Sequence, residues 1–361
     1  MNKPKIGISI GDLNGINCEL IIKTFSDERI LNICTPILYG SSKPISYYKN
    51  VLNNNDFQFH TISDALKAKD DAFNILNCWN ETININPGTV DPEQGIFALR
   101  ALEAVAYDAL ENKIDAIVTA PVNKHTIHAV APDFVGQTEF FTQKCQQHES
   151  LMLLANDQLR IALATNHLPL HKVSKSLSAK HILQKIELLE QSLKRDFLLD
   201  KPLIAVLSLN PHAGDNGLLG TEDAQIIAPA IEQAKALGIF AMGPFAADGF
   251  FGNGLHLKFD AILAMYHDQG LIPFKLLAFE NGVNITAGLS IVRTSPDHGP
   301  AYDIAGKGIA NETSFRQAIF AAIDLLKNRA SYDEMRGDAL NRSSIEREDE
   351  TATAENLENE E

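Results

Sequence analysis

The chain has 361 residues, a formal net charge of −15, and 45% hydrophobic and 21% charged residues. This length is sufficient for two domains with separate hydrophobic cores, and the composition is ordinary for a globular protein. The acidic balance argues against a basic surface that binds nucleic acid. No apolar run approaches the roughly 18 residues that a transmembrane helix needs, so we expect neither nucleic acid nor a membrane as a partner.

The ends of the chain and its cysteines suggest a compartment. The first residues run directly into a strand-like segment and lack the apolar core of a signal peptide. The four cysteines are scattered and form no CxxC pair, which favours a reduced, cytoplasmic protein without a disulfide framework.

Residues 345–361 contain eight acidic residues and one Arg, a local charge of −7, and predict a disordered acidic tail.

Taken in chain order, short apolar runs alternate with helical patterns. Residues 6–10 predict a strand, followed by a glycine-containing turn and a helix from 18 to 25, although the GxGxxG spacing of a Rossmann site is absent. Further strands are predicted at 36–40, 72–79 and 115–119, and Asp91 before Pro92 predicts a helix start. Residues 151–154 and 161–164 predict a β-hairpin, and therefore a mixed sheet.

The second half of the chain continues the alternation. Helices are predicted to begin at Ser178, Thr221 and Thr313, and strands are predicted at 203–209, 261–265 and 288–292. This pattern predicts an α/β protein with two α/β/α domains around a cleft. We expect the first domain at approximately residues 1–130 plus 285–340, and the second at approximately 131–284.

Three apolar strand-like runs each end in a histidine, namely His167, His212 and His267. Ligands of open α/β sheets bind beyond the carboxyl ends of strands, so these side chains are expected to face a crevice. Three neutral imidazoles leave an open coordination position, as in a catalytic metal site. Each histidine alone is more simply explained as a hydrogen-bonded loop residue, but the repeated context favours a metal site.

Lys275 and Arg293 also follow apolar runs and are the cationic candidates for the crevice. A guanidinium fork and an ammonium point charge suit an anionic group such as a phosphate. Asn284 and the pair Gln137-Thr138 can supply neutral hydrogen bonds. Taken singly, either cation is also compatible with an ordinary surface charge.

Five motifs in a fixed order support the same interpretation. The motifs are Asn166-His-Leu-Pro-Leu170, Asn210-Pro-His-Ala-Gly214, Tyr266-His-Asp-Gln-Gly270, Val283-Asn-Ile-Thr286 and Arg293-Thr-Ser-Pro-Asp-His-Gly299. Together they resemble the 4-hydroxythreonine-4-phosphate dehydrogenase family of pyridoxal phosphate (vitamin B6) biosynthesis, and the resemblance runs from about residue 6 to residue 327.

The resemblance implies a fold like that of the isocitrate and isopropylmalate dehydrogenases, and a homodimer with its active site at the interface. It implies one divalent ion per active site (zinc, magnesium or cobalt) on His167, His212 and His267. The implied substrate is 4-phosphooxy-L-threonine, which is oxidised to a β-keto acid that decarboxylates to 3-amino-2-oxopropyl phosphate. The proton donor for the last step stays open among Lys275, Asp248 and water. The implied substrate contacts are Gln137, Thr138, Lys275, Asn284 and Arg293.

A second resemblance concerns the nucleotide. Residues 298–311 read HGPAYDIAGKGIAN. They are similar to the adenosine-binding loop of isopropylmalate dehydrogenases, which bind NAD without a GxGxxG motif. The resemblance implies cofactor contacts from His298, Gly299, Asp303 and Gly306. We expect NAD as the cofactor, with NADP as the alternative.

Two departures from the family pattern leave the substrate open. Gln137 stands where the family has a His, and Gln cannot carry a charge. The family's N-terminal Gly-Asp-Pro pattern reads Gly11-Asp-Leu-Asn-Gly15 here. One alternative is therefore a dehydrogenase of a sugar-acid phosphate, such as erythronate or threonate 4-phosphate. Another is a metal- and phosphate-binding protein without redox turnover.

Overall fold

A computed structural model describes residues 3–278 and 281–337, which contain twelve strands and eleven α-helices. The strands are β1 Lys5–Ser9, β2 Thr35–Gly40, β3 His60–Ile62, β4 Asn74–Asn77, β5 Ala116–Thr119, β6 Leu151–Ala155, β7 Arg160–Leu163, β8 Ile204–Leu207, β9 Ala241–Phe245, β10 Ala261–Ala264, β11 Val283–Ala287 and β12 Val292–Pro296. The helices are α1 Asn17–Phe25, α2 Ser42–Val51, α3 Gly95–Leu110, α4 Lys124–Val130, α5 Gln137–Lys144, α6 Leu170–Ser176, α7 Ala179–Phe197, α8 Ala228–Ala236, α9 Ala247–Gly252, α10 His267–Ala278 and α11 Thr313–Gly337.

The twelve strands form one sheet in the order β3-β4-β2-β1-β5-β12-β11-β6-β7-β10-β8-β9. β11 runs antiparallel to β12 and β6, and β6 runs antiparallel to β7, whereas the remaining pairs are parallel. The predictions of an α/β fold and of a mixed sheet are therefore confirmed. The two domain boundaries stay a prediction, and the predicted tail at residues 345–361 lies outside the described residues.

The central strands are buried because helices cover them. β2, β5, β8 and β10 are apolar runs with every residue buried, as expected for strands covered on both faces. α3 packs against β1, β2 and β5, and α11 packs against β5, β11 and β12. A Cβ on Gly7 would lie 2.3 Å from Ile114 Cδ1 and 2.8 Å from Val105 Cγ2, so glycine is required for α3 to lie this close to β1. Within the described residues, no helix is both long and apolar enough to cross a bilayer.

The strand predicted at residues 288–292 is wrong. Gly288 has a φ of +85° and lies in the turn that reverses the chain between β11 and β12. The turn contains the apolar residues Leu289 and Ile291, and this apolar run predicts a strand. In the structure Leu289 is buried in a hydrophobic cluster although it lies in a turn. Arg293 therefore lies inside β12, and not beyond the end of a strand as the sequence predicted.

The sequence pattern does not predict α10, because Gly270 and Pro273 both disfavour a helix interior. A Cβ on Gly270 would lie 2.7 Å from Leu163 Cδ2, so the glycine lets α10 pack directly on β7. Packing against β7 thus outweighs the low helix propensity of Gly270 and Pro273. His267 consequently begins a helix that directly follows β10.

The predicted helix starts have mixed outcomes. Ser178 caps α7 as predicted, with its side chain accepting from the His181 N–H. At α11, however, the Asn311 side chain accepts from the Thr313 N–H at 2.9 Å, so Asn311 rather than Thr313 is the capping residue. The helix predicted after Thr221 begins with a π-helical turn at 223–227 before α8.

The pair Arg329–Asp196 joins α11 to α7 and provides a stability test. Arg329 Nε donates to Asp196 Oδ1 at 2.6 Å, and the two side chains are 10% and 2% exposed. Arg329→Leu should lower the free energy of unfolding by about 3–5 kcal/mol, because it leaves a buried carboxylate unpaired. Denaturant unfolding measures this change.

A matched pair on the same two helices serves as the control. The Arg195 guanidinium lies 2.9 Å from Asp333 Oδ2, but these two side chains are 40% and 57% exposed. Arg195→Leu should change the free energy of unfolding by less than about 1 kcal/mol. Equal effects at the two sites would contradict the role assigned to the buried pair.

Candidate active site

Three neighbouring parallel strands lead to the three histidines that the sequence singled out. β10 lies between β7 and β8, and these strands precede His267, His167 and His212, respectively. Thr165 Oγ1 donates to the Met265 carbonyl at 2.7 Å, which joins the ends of β7 and β10. The strand ends therefore form one hydrogen-bonded rim.

Gln269 joins this rim to β8. Its Oε1 accepts from the Met265 N–H at 2.7 Å, and its Nε2 donates to the Ser208 carbonyl at 2.6 Å. Both polar ends of one amide thus hold the first turn of α10 against two strand ends. This fixes the position of His267 without using its imidazole.

His167 and His267 are brought together. Their ring centroids lie 5.6 Å apart, with an interplanar angle of 43°. Lys124 Nζ lies 3.1 Å from His167 Nε2. Burial lowers the pKa of His167, and the positive charges of Lys124 and His267 lower it further, against an opposite effect of Glu139. The His167 ring therefore favours its neutral form, which is the form that binds metals.

His212 is not brought to this pair within one chain. It is exposed and does not line the cavity that His167 and His267 share. His212, Ala213, Asp215 and Asn216 all have positive φ values, of 53°, 53°, 43° and 55°. Such left-handed residues cost about 1–2 kcal/mol each, so the surrounding structure must impose this conformation.

Asp223 imposes it. Its carboxylate accepts from the Leu209 N–H at 2.7 Å, the Asn210 N–H at 3.1 Å and the Asn210 side chain at 3.0 Å. Within the described residues, no group of three or more His, Cys, Asp or Glu side chains is arranged to hold a metal ion. One chain therefore offers two of the three predicted ligands at one position.

The shared cavity has a volume of about 350 Å³ and receives most of the sequence-predicted site residues. Those that line it are Gln137, Thr138, His167, His267, Lys275, Asn284, Arg293, His298 and Gly299. Those that do not are His212, Asp248, Asp303 and Gly306. Asp248 is exposed on α9.

Arg293 is the dominant charge in the cavity wall. The residue is 3% exposed, and its guanidinium donates to Thr286 Oγ1 at 2.9 Å, Thr119 Oγ1 at 2.6 Å and Gln137 Oε1 at 2.5 Å. All three acceptors are neutral, and no ion pair to Arg293 forms within the described chain. Burial lowers its pKa to about 9, partly offset by the negative charge of Glu139. A buried cation without a paired anion is costly, and an anionic ligand would relieve that cost.

Unpaired polar atoms concentrate in the same cavity. Of the 13 buried side-chain polar atoms without a hydrogen-bond partner in the described residues, four belong to residues that line it. They are Glu139 Oε2, Asn284 Oδ1, Arg293 Nε and His298 Nε2. Buried polar groups are normally satisfied, so this concentration indicates a polar ligand.

Lys275 supplies a second cation to the cavity. Its Nζ lies 3.9 Å from Asp297 Oδ2, a loose contact that leaves the ammonium accessible to a ligand. Burial raises the pKa of Asp297, whereas Lys275 and His267 act in the opposite direction. With Arg293 and Lys124, the cavity is therefore lined by three cationic side chains.

The predicted nucleotide loop is anchored to the N-terminal glycine turn. Tyr302 Oη donates to Asp12 Oδ2 at 2.6 Å and accepts from Asn123 Nδ2 at 3.0 Å. Burial raises the pKa of Asp12, and the hydrogen bond from Tyr302 acts in the opposite direction. Only the start of the loop, at His298 and Gly299, reaches the cavity. The glycine turn that lacks a Rossmann motif thus supports this loop.

Sequence reasoning did not select three charged residues of the cavity, Lys124, Glu139 and Asp297. Lys124 follows β5 in the same way as the histidines follow their strands, so its position was a usable signal. Glu139 lies one helix position beyond Thr138 and carried no separate signal.

Comparison with known proteins identifies the family. The model of the family described as pyridoxal phosphate biosynthetic protein PdxA matches residues 32–322. The chain belongs to the PdxA family. It is 47% identical over 353 residues to the 4-hydroxythreonine-4-phosphate dehydrogenase of Bacteroides thetaiotaomicron, covering 97% of this chain and 96% of that protein.

Other relatives agree on the fold and widen the chemistry. The crystal structure of 4-hydroxythreonine-4-phosphate dehydrogenase from Klebsiella pneumoniae matches with a TM-score of 0.76 and 33% identity, covering 90% of this chain and 98% of that one. A putative D-threonate 4-phosphate dehydrogenase of Oceanobacillus iheyensis is 37% identical, covering 90% of this chain and 98% of that protein. The prediction of an oxidoreductase of this family is confirmed.

Arg293 gives a direct test of anion binding. Inorganic phosphate should raise the thermal unfolding midpoint of the wild-type protein, because it binds the folded cavity and not the unfolded chain; at 100 times the dissociation constant the gain is about 2.7 kcal/mol. Arg293→Met should abolish this rise. Arg100→Met, which removes an exposed guanidinium paired with Glu81, should retain it. An equal rise in the Arg293 variant would contradict the assignment.

Proposed function

We propose that this protein oxidises 4-phosphooxy-L-threonine with NAD in pyridoxal 5′-phosphate biosynthesis. The observation that carries the proposal is the buried Arg293 guanidinium, which has only neutral partners and faces a polar cavity. Membership of the PdxA family supports the reaction class. The oxidation removes a hydride from C3 and a proton from its hydroxyl, and the β-keto acid then loses carbon dioxide to give 3-amino-2-oxopropyl phosphate.

The phosphate would bind at the cationic end of the cavity. Arg293 supplies a guanidinium fixed by three hydrogen bonds, and its unpaired Nε is available to a phosphate oxygen. Lys275 adds a second positive charge, and Thr138 and Asn284 add neutral polar groups. This fixes the substrate at C4 and presents its C3 hydroxyl toward the other end.

The histidines occupy that other end. His167 and His267 fit two positions of a divalent-metal site, because burial favours the neutral ring of His167 and the two rings are adjacent. In a homodimer, His212 of the partner subunit would be the third ligand. A zinc, magnesium or cobalt ion would supply Lewis acidity that favours loss of the hydroxyl proton.

The loop at residues 298–308 would contact the nucleotide. His298 and Gly299 line the cavity, and Asp303 and Gly306 lie farther along the same anchored loop. NAD, or NADP as the alternative, would accept the hydride, and the chain's part is to orient it beside C3. Lys275 is our candidate for moving the proton after decarboxylation. Asp248 lies outside the cavity of one chain. It is a candidate for the same proton transfer only if the cavity of a second copy includes it.

Exposed apolar side chains support the homodimer. On α10, Ile272 and Leu276 are 60% and 81% exposed, and next to the His212 loop Leu218 is 79% exposed. Large apolar side chains with such exposure are candidates for burial in a protein interface. A second copy that covers these residues would bring the exposed His212 against the partner's cavity.

A second candidate substrate is threonate 4-phosphate. A relative at 37% identity bears the name of a putative D-threonate 4-phosphate dehydrogenase. The phosphate end described above suits either compound. The two substrates differ at C2, where the amino acid has an ammonium and the sugar acid has a hydroxyl.

NADH formation tests the proposal. With a divalent ion, 4-phosphooxy-L-threonine should give NADH faster than erythronate or threonate 4-phosphate, and chelation should abolish turnover until metal is restored. Faster turnover of a sugar-acid phosphate would transfer the assignment to the second candidate. NADH production after verified metal removal would contradict the metal site, and no NADH from any substrate would contradict the dehydrogenase.

Analytical ultracentrifugation tests the interface. The wild-type protein should have twice the chain mass of 39.6 kDa, and the double variant Leu218→Asp/Ile272→Asp should have that mass once. The variant should also lose activity, since it loses His212 of the partner subunit. Leu66→Asp, at a residue that is 63% exposed elsewhere, should remain dimeric and active. A fully active monomer would contradict the shared site.

A further inference from the structure

Glu139 is an unexplained anion in a cavity otherwise suited to anions. It lies on α5 and lines the same cavity as Arg293 and His167. Its Oε2 is buried and accepts no hydrogen bond from the described residues. A buried carboxylate oxygen without a donor is costly, which indicates that a ligand supplies the donor.

The nearby protein cation does not pair with it. A Cβ on Gly136 would lie 2.6 Å from Glu139 Oε2 and 3.5 Å from Lys124 Nζ, so both charged groups border the space that this glycine leaves open. Within the described chain they form no ion pair, and Lys124 Nζ instead lies 3.1 Å from His167 Nε2. Glu139 Oε2 therefore keeps an unused acceptor position, although a protein ammonium lies nearby.

Glu139 shares one cavity with the residues of both proposed roles. Arg293 and Lys275 line it as the cations proposed for the phosphate, and His167 and His267 line it as the proposed metal ligands. Arg293 belongs to the phosphate end, whereas His167 belongs to the end where the C3 hydroxyl would react. The C2 ammonium is the only cationic group of 4-phosphooxy-L-threonine, and it lies on the carbon next to C3. It is therefore the group of the proposed substrate that suits a carboxylate in this cavity.

We propose that Glu139 binds the C2 ammonium of the substrate and so selects a 2-amino acid phosphate over the corresponding 2-hydroxy acid. The proposal rests on the proposed function of this cavity. An ammonium offers charged donors to the carboxylate, whereas a C2 hydroxyl offers one neutral donor. Glu139 is therefore a specificity-determining residue.

Calorimetric binding without NAD separates recognition from turnover. The full-length protein, supplied with Mg²⁺, is titrated with 4-phosphooxy-L-threonine and with threonate 4-phosphate. Glu139→Gln keeps the shape and removes the charge, and should weaken binding of the amino acid roughly tenfold to a hundredfold, with a change of less than about threefold for the hydroxy acid. The control Glu103→Gln, at an exposed position, should leave both affinities unchanged.

Three results would overturn the proposal. They are equal weakening of both ligands, no weakening of either, and a wild-type protein that does not prefer the amino acid. Glu139→Asp keeps the charge and should retain more of the preference than Glu139→Gln, which guards against a folding defect in one variant. The NADH assay tests the proposed function separately. If the wild-type protein forms NADH but its binding shows no preference for the amino acid, only the role proposed for Glu139 is refuted. If the wild-type protein forms no NADH, the proposed function itself is refuted.

Discussion

The buried guanidinium of Arg293 is the constraint on which the cavity depends. Threonines from β5 and β11 and the amide of Gln137 on α5 accept its hydrogen bonds, so one side chain connects three elements. These acceptors are neutral, and among the described residues the Glu139 carboxylate compensates the positive charge only in part. A carboxylate in the same place would have stabilised the empty cavity and competed with an anionic ligand.

Gln137 has a clear role in this arrangement. The family pattern has a His at this position, and the sequence alone suggests only that Gln donates a hydrogen bond to the substrate. In the structure its Oε1 accepts from Arg293, and its Nε2 donates to the Ala120 carbonyl at 3.1 Å. Gln137 therefore orients Arg293 as a neutral acceptor. The departure from the family pattern therefore gives Arg293 a neutral acceptor at this position.

Local sequence signals predicted the parts of the site that depend on strand ends. His167, His212 and His267 each follow an apolar run, and the sheet brings those runs side by side. The predictions were weaker wherever tertiary packing decided the outcome. α10 tolerates Gly270 because the helix must approach β7, and the segment before the left-handed loop at His212 is held by a carboxylate that follows the loop in the chain.

Charged groups from distant segments were the hardest to predict. Lys124 and His167 are 43 residues apart in sequence and meet only through the sheet order. Glu139 becomes distinctive only when its unpaired oxygen and the space beside Gly136 are known. No periodicity or spacing in the chain encodes such a pairing, whereas the fold makes it visible.

We infer that a substrate phosphate neutralises the Arg293 guanidinium. A crystal structure of the protein with 4-phosphooxy-L-threonine and a divalent ion tests this most directly. We expect a phosphate oxygen within hydrogen-bond distance of Arg293 Nε, a second oxygen near Lys275, and the C3 hydroxyl toward His167 and His267. A phosphate bound elsewhere, with Arg293 still paired only to neutral groups, would contradict the account.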